Sequence, residues 1–400
     1  MMCRRVGVKG KLGRCALLLV ICLLILPPPA PATALGPLEM AERQAQEIGL
    51  HELDRFWSEL QQQVGEYMPA FRWQDLLRLY QSGNAEPLSL AELFNGLWRY
   101  MWREIYLNLR LLGKLLFLAV VAALLKNLEK AFARESIAAL THTIVHLALV
   151  VIAMQSFAVA VNLGRQTVDN LVELIMAALP LLLTLLAALG SFAAAAIFRP
   201  LIIFAVNFLA SLTRDIIFPL IYLTTILAVV NHISPRVTVG RLAELLKNVS
   251  VWAMGLSMTI FTGLLAIHGV AAAVGDAVTI RTAKFMTGAF LPVVGGMLTD
   301  AVETVAGATL ILKNSVHLAG VLLVFYLVAF PALKILALVF IYKLAAALIQ
   351  PLGETALSEA LNTFGNCLAL IFAAVAIVGL FFYLAITIIA GAGNTSFMLR

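Results

Sequence analysis

Charge is scarce in this chain. Only 12% of its 400 residues are Asp, Glu, Lys or Arg, about half the share usual in a soluble globular domain. With 62% hydrophobic residues and a mean hydropathy of +0.96, lipid must be its main solvent. Cysteine is almost as sparse. Cys3, Cys15 and Cys22 fall in the first 34 positions and Cys367 stands alone afterwards, so a chain processed there has no intrachain disulfide and no cysteine-built metal site. Also missing are the P-loop, dinucleotide fingerprint, zinc-protease, nucleophile-elbow and EF-hand patterns. The expectation is therefore no enzyme, no catalytic, cofactor-binding or metal-ligating residues, and no cofactor. The formal charge of +6 does not indicate nucleic acid either. Arg4, Arg5, Lys9, Lys11 and Arg14 sit in the first 34 residues without an acid, and the remainder is nearly balanced.

What is present begins with a leader. A basic start, an apolar run from Cys15 to Leu26, a proline-rich stretch and Ala32-Thr33-Ala34 have the order of a secretory signal. Residues 1–34 are thus expected to be a cleavable signal peptide, because an apolar run this short does not cover a bilayer that takes about 20 residues. Residues 35–106 hold 6 basic and 11 acidic residues with no spanning run, and are read as an extracytoplasmic acidic helical segment. Leu53, Phe56, Leu60 and Val64 mark one helical face, which Pro69 closes. Ser89 with Glu92 forms a capping box for a helix whose apolar face carries Leu93, Leu97 and Met101.

Residues 107–400 are expected to form the transmembrane domain. Apolar segments run over 107–125, 137–163, 171–198, 200–231, 249–275, 289–312, 315–349 and 366–392. Backbone amides in lipid need internal partners, so helices are the economical reading. The fold class is all-α, a polytopic helical membrane protein of about 6–8 spans. Segments 200–231 and 315–349 exceed the roughly 20 residues of one span and carry Phe218-Pro219 and Phe330-Pro331 midway. They are either kinked spans or re-entrant hairpins.

An internal repeat is expected over 171–276 and 283–392. Leu179-Pro180 precedes Phe218-Pro219 by the same interval that separates Leu291-Pro292 from Phe330-Pro331, and each Phe-Pro leads to a second proline, a polar stretch and a last apolar helix. Pro180, Pro219, Pro292 and Pro331 are thus candidate kink or hairpin positions, and two related halves suggest a transporter-like arrangement. Lys126, Lys130 and Arg134 fit a cytoplasmic loop. Eight crossings put Arg236, Arg241 and Lys247 on the wrong side of the positive-inside rule, whereas two hairpins put them back. Hairpins are favoured on that ground.

Ionisable residues at membrane depth are functional candidates. Asp300 and Glu303 share a helical face within 289–312, facing either a polar lumen or water at the interface. Arg214 and Asp215 interrupt 200–231, as a charge pair at a pore or hinge or as a solvated hairpin tip; as sequence neighbours they do not share a face. His142 and His146 have metal-binding spacing without further ligands, and Arg110 with Lys114 fit snorkelling near a helix end. Small residues around Gly190, at Gly295-Gly296 and at Gly391 with Gly393 suit close packing or homo-oligomerisation.

Over essentially its whole length the chain resembles the stage III sporulation protein AE family of endospore-forming bacteria. The resemblance rests on Arg281-Thr282-Ala283-Lys284-Phe285-Met286-Thr287-Gly288, on Pro292-Val293-Val294-Gly295 with Thr299-Asp300-Ala301, on Leu312-Lys313-Asn314, and on Ala329-Phe330-Pro331 with Leu333-Lys334-Ile335-Leu336. It implies a multi-pass component of the mother-cell membrane around the forespore, acting with the other stage III sporulation A-operon proteins, including an ATPase and ring-forming subunits. Stage II sporulation protein Q would join from the forespore side. The implied role is a structural and conducting subunit of a secretion-like channel complex needed for late forespore development. A stand-alone ion-coupled transporter using Asp300 and Glu303 is the alternative.

Overall fold

The structure is a computed structural model that describes residues 40–41, 43–44, 51–68, 90–132, 135–233, 239–290 and 295–398. Among the described residues there are helices and turns and no strand. In chain order they are α1 (His51–Val64), α2 (Leu90–Phe132), α3 (Glu135–Ala188), α4 (Phe192–Ser211), a π-helical segment (Leu212–Ile217), α5 (Phe218–Ile233), α6 (Gly240–Phe290), α7 (Gly295–Ile349) and α8 (Thr355–Met398).

Local rules act as the sequence suggests at α1. Leu53, Phe56, Trp57, Leu60 and Val64 are buried along one face. The helix tightens into a 3-10 turn over Gly65–Tyr67, and Met68 becomes extended (φ −106°, ψ 143°) because a proline follows. α2 starts directly after Ser89, which lies outside the described residues, and Leu93, Leu97 and Met101 pack against the core. No break occurs at the expected 106/107 boundary, so the polar segment and the first apolar one share a single helix.

Among the described residues the eight apolar segments condense into six helices long and apolar enough to span a membrane. Segment 137–163 and the first part of 171–198 join because Leu163–Asn170 holds nothing that ends a helix except Gly164, whose missing side chain lets Phe218 and Ile371 close in. The true break comes at Gly190, in the left-handed region at φ 85°. Segments 289–312 and 315–349 join likewise through Lys313-Asn314.

The re-entrant hairpins do not occur. From Phe192 to Asn231 the backbone is one continuous helical span, and from Val305 to Leu352 another. Pro331 and Pro180 sit inside α7 and α3 without ending them. At Pro219 the lost amide and the ring are accommodated by the π segment just before it, where the Phe218 N–H donates to the Thr213 carbonyl. Pro292 lies outside the described residues.

Six long apolar helices bring the basic residues to one end. Lys126 at the end of α2 donates to the Gly353 carbonyl at 3.0 Å and pairs at 3.2 Å with the buried Glu354 carboxylate, in the turn between α7 and α8. Arg241 and Lys247 open α6 at the same end, where Asn231 caps the Gly240 N–H at 3.2 Å. The parity that made hairpins attractive thus never arises.

α7 and α8 form the most extensive pair, and α3 crosses both. Gly379 lets Val328 approach so closely that a β-carbon there would lie 2.5 Å from its methyl. Tyr342, fully buried, donates its hydroxyl to the Ala153 carbonyl at 3.0 Å and ties α7 to α3. Phe157 sits against Tyr222 and Phe364, joining α3, α5 and α8.

The bundle is taller than a membrane. α3 and α7, of 54 and 55 residues, each run about 80 Å at about 1.5 Å per residue, against an apolar core of about 30 Å. A second level of charge marks the division. Tyr100 packs on Phe330, Trp57 on Tyr326, and Arg55 of α1 reaches Glu173 of α3. From Tyr100 to Lys126 is about 39 Å of helix, and from Arg214 to Ile233 about 29 Å. All six helices share this tier. α3, α4, α6, α7 and α8 continue beyond it.

Candidate functional site

The charged level is assembled from α1, α3 and the π segment. On α3, Arg165, Asp169 and Glu173 recur every four residues and so form one stripe. The π turn presents Arg214 to that stripe. Its guanidinium donates from Nη1 to Asp169 Oδ1 at 3.0 Å, from Nε to Asp215 Oδ1 at 2.9 Å and from Nη2 to Asp215 Oδ2 at 3.3 Å. Arg214 and Asp215 therefore do pair, although neighbours in a regular α-helix diverge. The wider π turn brings consecutive side chains closer, and the long guanidinium folds back. At the stripe's other end Arg55 donates to Glu173 at 2.8 Å and pairs with Glu59 at 3.4 Å.

The network is half-exposed, with side-chain exposures of 41% for Arg214, 50% for Asp169 and 55% for Asp215. Arg214 and Asp215 lie within a continuous helical run and are not a hairpin tip. Pairs this exposed are individually weak, because water and salt screen them. The network's physical effect is to mark where α1, α3 and the π turn meet. Asp169 and Arg165 went unnoticed in the sequence because they lie in the short link between two apolar segments. Their four-residue spacing with Glu173 was the available signal.

Asp300 and Glu303 fall in the first turns of α7, and their side chains lie outside the described ones. The same holds for His142, while His146 is buried. Among the described residues no group of three or more His, Cys, Asp or Glu could hold a metal.

A residue quoted above only for the resemblance proves structurally exceptional. Lys313 is buried to 1% exposure on α7 and donates its ammonium to the Ala390 carbonyl of α8 at 2.7 Å. A buried ammonium is costly unless hydrogen-bonded. This one binds α7 to α8 in the part of the bundle beyond the charged level. A lysine between two leucine-rich runs was the signal.

At the opposite, basic end, α5, α6 and α8 enclose a cleft of about 310 Å³ whose polar lining includes Asn231, Glu244, Lys247, Thr363 and Asn366. Lys343 of α7 reaches its rim by donating to Asn366 at 2.8 Å. The cleft is formed where the second apolar hairpin, α7–α8, meets the first, α5–α6.

Comparison with known proteins decides the family. The family profile described as Stage III sporulation protein AE matches residues 71–393. The chain belongs to that family. A curated Stage III sporulation protein AE from Bacillus subtilis (strain 168) is 38% identical over 362 residues, covering 90% of each chain. No solved structure matches. Membership in the stage III sporulation protein AE family gives the chain a role in sporulation, and its six long apolar helices make it a multi-pass membrane protein.

Proposed function

We infer that the chain is the polytopic membrane subunit of the assembly that joins the mother cell to the engulfed forespore, embedded in the mother-cell membrane and needed for late forespore development. In this reading it has no catalytic activity. It works with the other stage III sporulation A-operon proteins, an ATPase and ring-forming subunits among them, and meets stage II sporulation protein Q from the forespore side. The basic end, with Lys126, Arg241 and Lys247, faces the cytoplasm by the positive-inside rule. The observation that carries the reading is the place of α1. It is pinned by Arg55–Glu173 and Trp57–Tyr326 about one bilayer thickness away from that end. That is where an extracytoplasmic segment meeting partners between two membranes would stand.

The test is complementation. A strain lacking its own family member and expressing this chain is expected to switch on a late forespore reporter. Arg55→Glu with Trp57→Ala is expected to lower that signal while leaving the protein in the membrane. Full activity of the double variant would remove α1 from the mechanism. The rival, an ion-coupled transporter, predicts that Asp300→Asn with Glu303→Gln abolishes transport by the purified protein in liposomes, whereas our reading predicts unchanged assembly.

A further inference from the structure

α2 is the outermost helix of the membrane tier, and one of its faces is open. Leu112, Leu115 and Ala119 are buried against α3 and α7, while Tyr106, Phe117 and Leu124 on the other side are 74%, 69% and 57% exposed. Arg110 and Lys114, one turn apart, are exposed on that open side. Gly113 lies between them, and a β-carbon built there would meet nothing within 4 Å.

The depth of these cations is what matters. Lys114 stands about 18 Å above Lys126, which is fixed at the basic end, and about 21 Å below Tyr100, which is fixed at the charged level by Phe330. It is thus near the middle of a tier matching the apolar thickness of a bilayer. Four methylenes do not carry an ammonium over that distance, so the snorkelling expected from sequence does not account for Lys114. A cation on a lipid-facing surface at mid-depth is costly, and the structure offers it no acid. Among the described residues the exposed acids are at or beyond the charged level, as Asp54, Glu59, Glu66, Glu92, Asp169, Glu173 and Asp215, or near the basic end, as Glu244 and Glu359. A second copy docked through the same face would set Lys114 against Lys114, and one docked through another face would bring its acids to the wrong depth.

We propose that the open face of α2 is the docking site for a transmembrane helix of a different protein that carries a carboxylate near its midpoint. The carboxylate pairs with Lys114 and Arg110, and Gly113 allows the two backbones to come close. This requires only that the chain spans a membrane. It stands apart from the sporulation complex proposed above, because its test uses a defined probe and no sporulating cell.

The full chain with Cys3, Cys15, Cys22 and Cys367 all changed to Ser and with Leu124→Cys is labelled with a donor fluorophore and reconstituted in phosphatidylcholine vesicles. The probe is a lysine-flanked polyleucine helix of about 21 residues, acceptor-labelled, with Asp, Asn or Leu at its centre. The Asp probe is expected to give half-maximal energy transfer at a peptide density at least about tenfold lower than the Leu or Asn probe. Arg110→Leu with Lys114→Leu is expected to erase that preference, and Lys114→Arg to keep it. Equal transfer from all three probes, or an Asp preference that survives the double leucine variant, would overturn the proposal. So would disulfide-linked homodimers through Phe117→Cys in place of probe binding, since they would show a second copy on this face.

Discussion

Arg214 donates to Asp169 across 45 positions of chain from a helical turn that is itself out of α register. The two facts belong together. Pro219 removes an amide and crowds the preceding turn, the chain answers with a π segment, and the π segment aims Arg214 at the stripe on α3. A backbone irregularity is thereby converted into a defined contact between distant parts of the fold.

Because that contact is half-exposed, its removal is expected to be mild. Arg214→Leu should cost less than about 1 kcal/mol in thermal or denaturant unfolding in detergent, and a double-mutant cycle with Asp169→Asn should give a coupling of similar size. A coupling several-fold larger would mean that the pair is shielded from water in the assembled protein.

Lys313 makes the opposite case. An ammonium held in an apolar interior by a carbonyl is replaceable by an apolar chain of like volume at little or no cost. Lys313→Met is therefore expected to leave the unfolding temperature unchanged or raise it, whereas Lys313→Ala should lower it through the cavity left between α7 and α8. If Lys313→Met folds well but fails in the complementation strain, the ammonium serves sporulation and not stability.

Gly379 tests the packing of the most extensive helix pair. Gly379→Leu is expected to destabilise by several kcal/mol, since even its β-carbon would press on Val328. Val328→Ala in the same chain should recover part of the loss. Simple additivity of the two changes would show that they do not meet.

The six-crossing path is open to labelling. In a chain with Cys3, Cys15, Cys22 and Cys367 all changed to Ser, Gly240→Cys and Thr355→Cys are expected to share the cytoplasmic side with Lys126. An impermeant maleimide should therefore reach both only after the membrane is opened. Reaction of just one of them in intact cells would contradict the shared basic end.

Much of this was readable in advance. The all-helical membrane class follows from long apolar runs, and the buried face of α1 from Leu53, Phe56, Leu60 and Val64 recurring at helical spacing. The span count was harder, because hydropathy sees Arg165, Asp169 and Asn170 as a gap while the backbone sees helix-compatible residues. The hairpins were inferred from the positive-inside rule applied to Arg236, Arg241 and Lys247, together with two features of the segments, their length and their Phe-Pro. Neither breaks a helix whose neighbours hold it, as Tyr342 holds α7 against Ala153. The charged level escaped notice because its members lie on three elements far apart in sequence, and only tertiary packing brings Arg55, Glu173, Asp169 and Arg214 to one height.

The π turn also predicts where the chain tolerates a change of length. Such a turn is an α-helix with one surplus residue, so deleting a single residue between Leu212 and Ile217 would relax it to ordinary geometry with α4 and α5 still facing their present neighbours. The same deletion in the middle of α3 would rotate everything downstream by about 100° and turn the core-facing side chains toward lipid. Natural or engineered length variation within the Phe192–Ile233 rod should accordingly collect at those six positions.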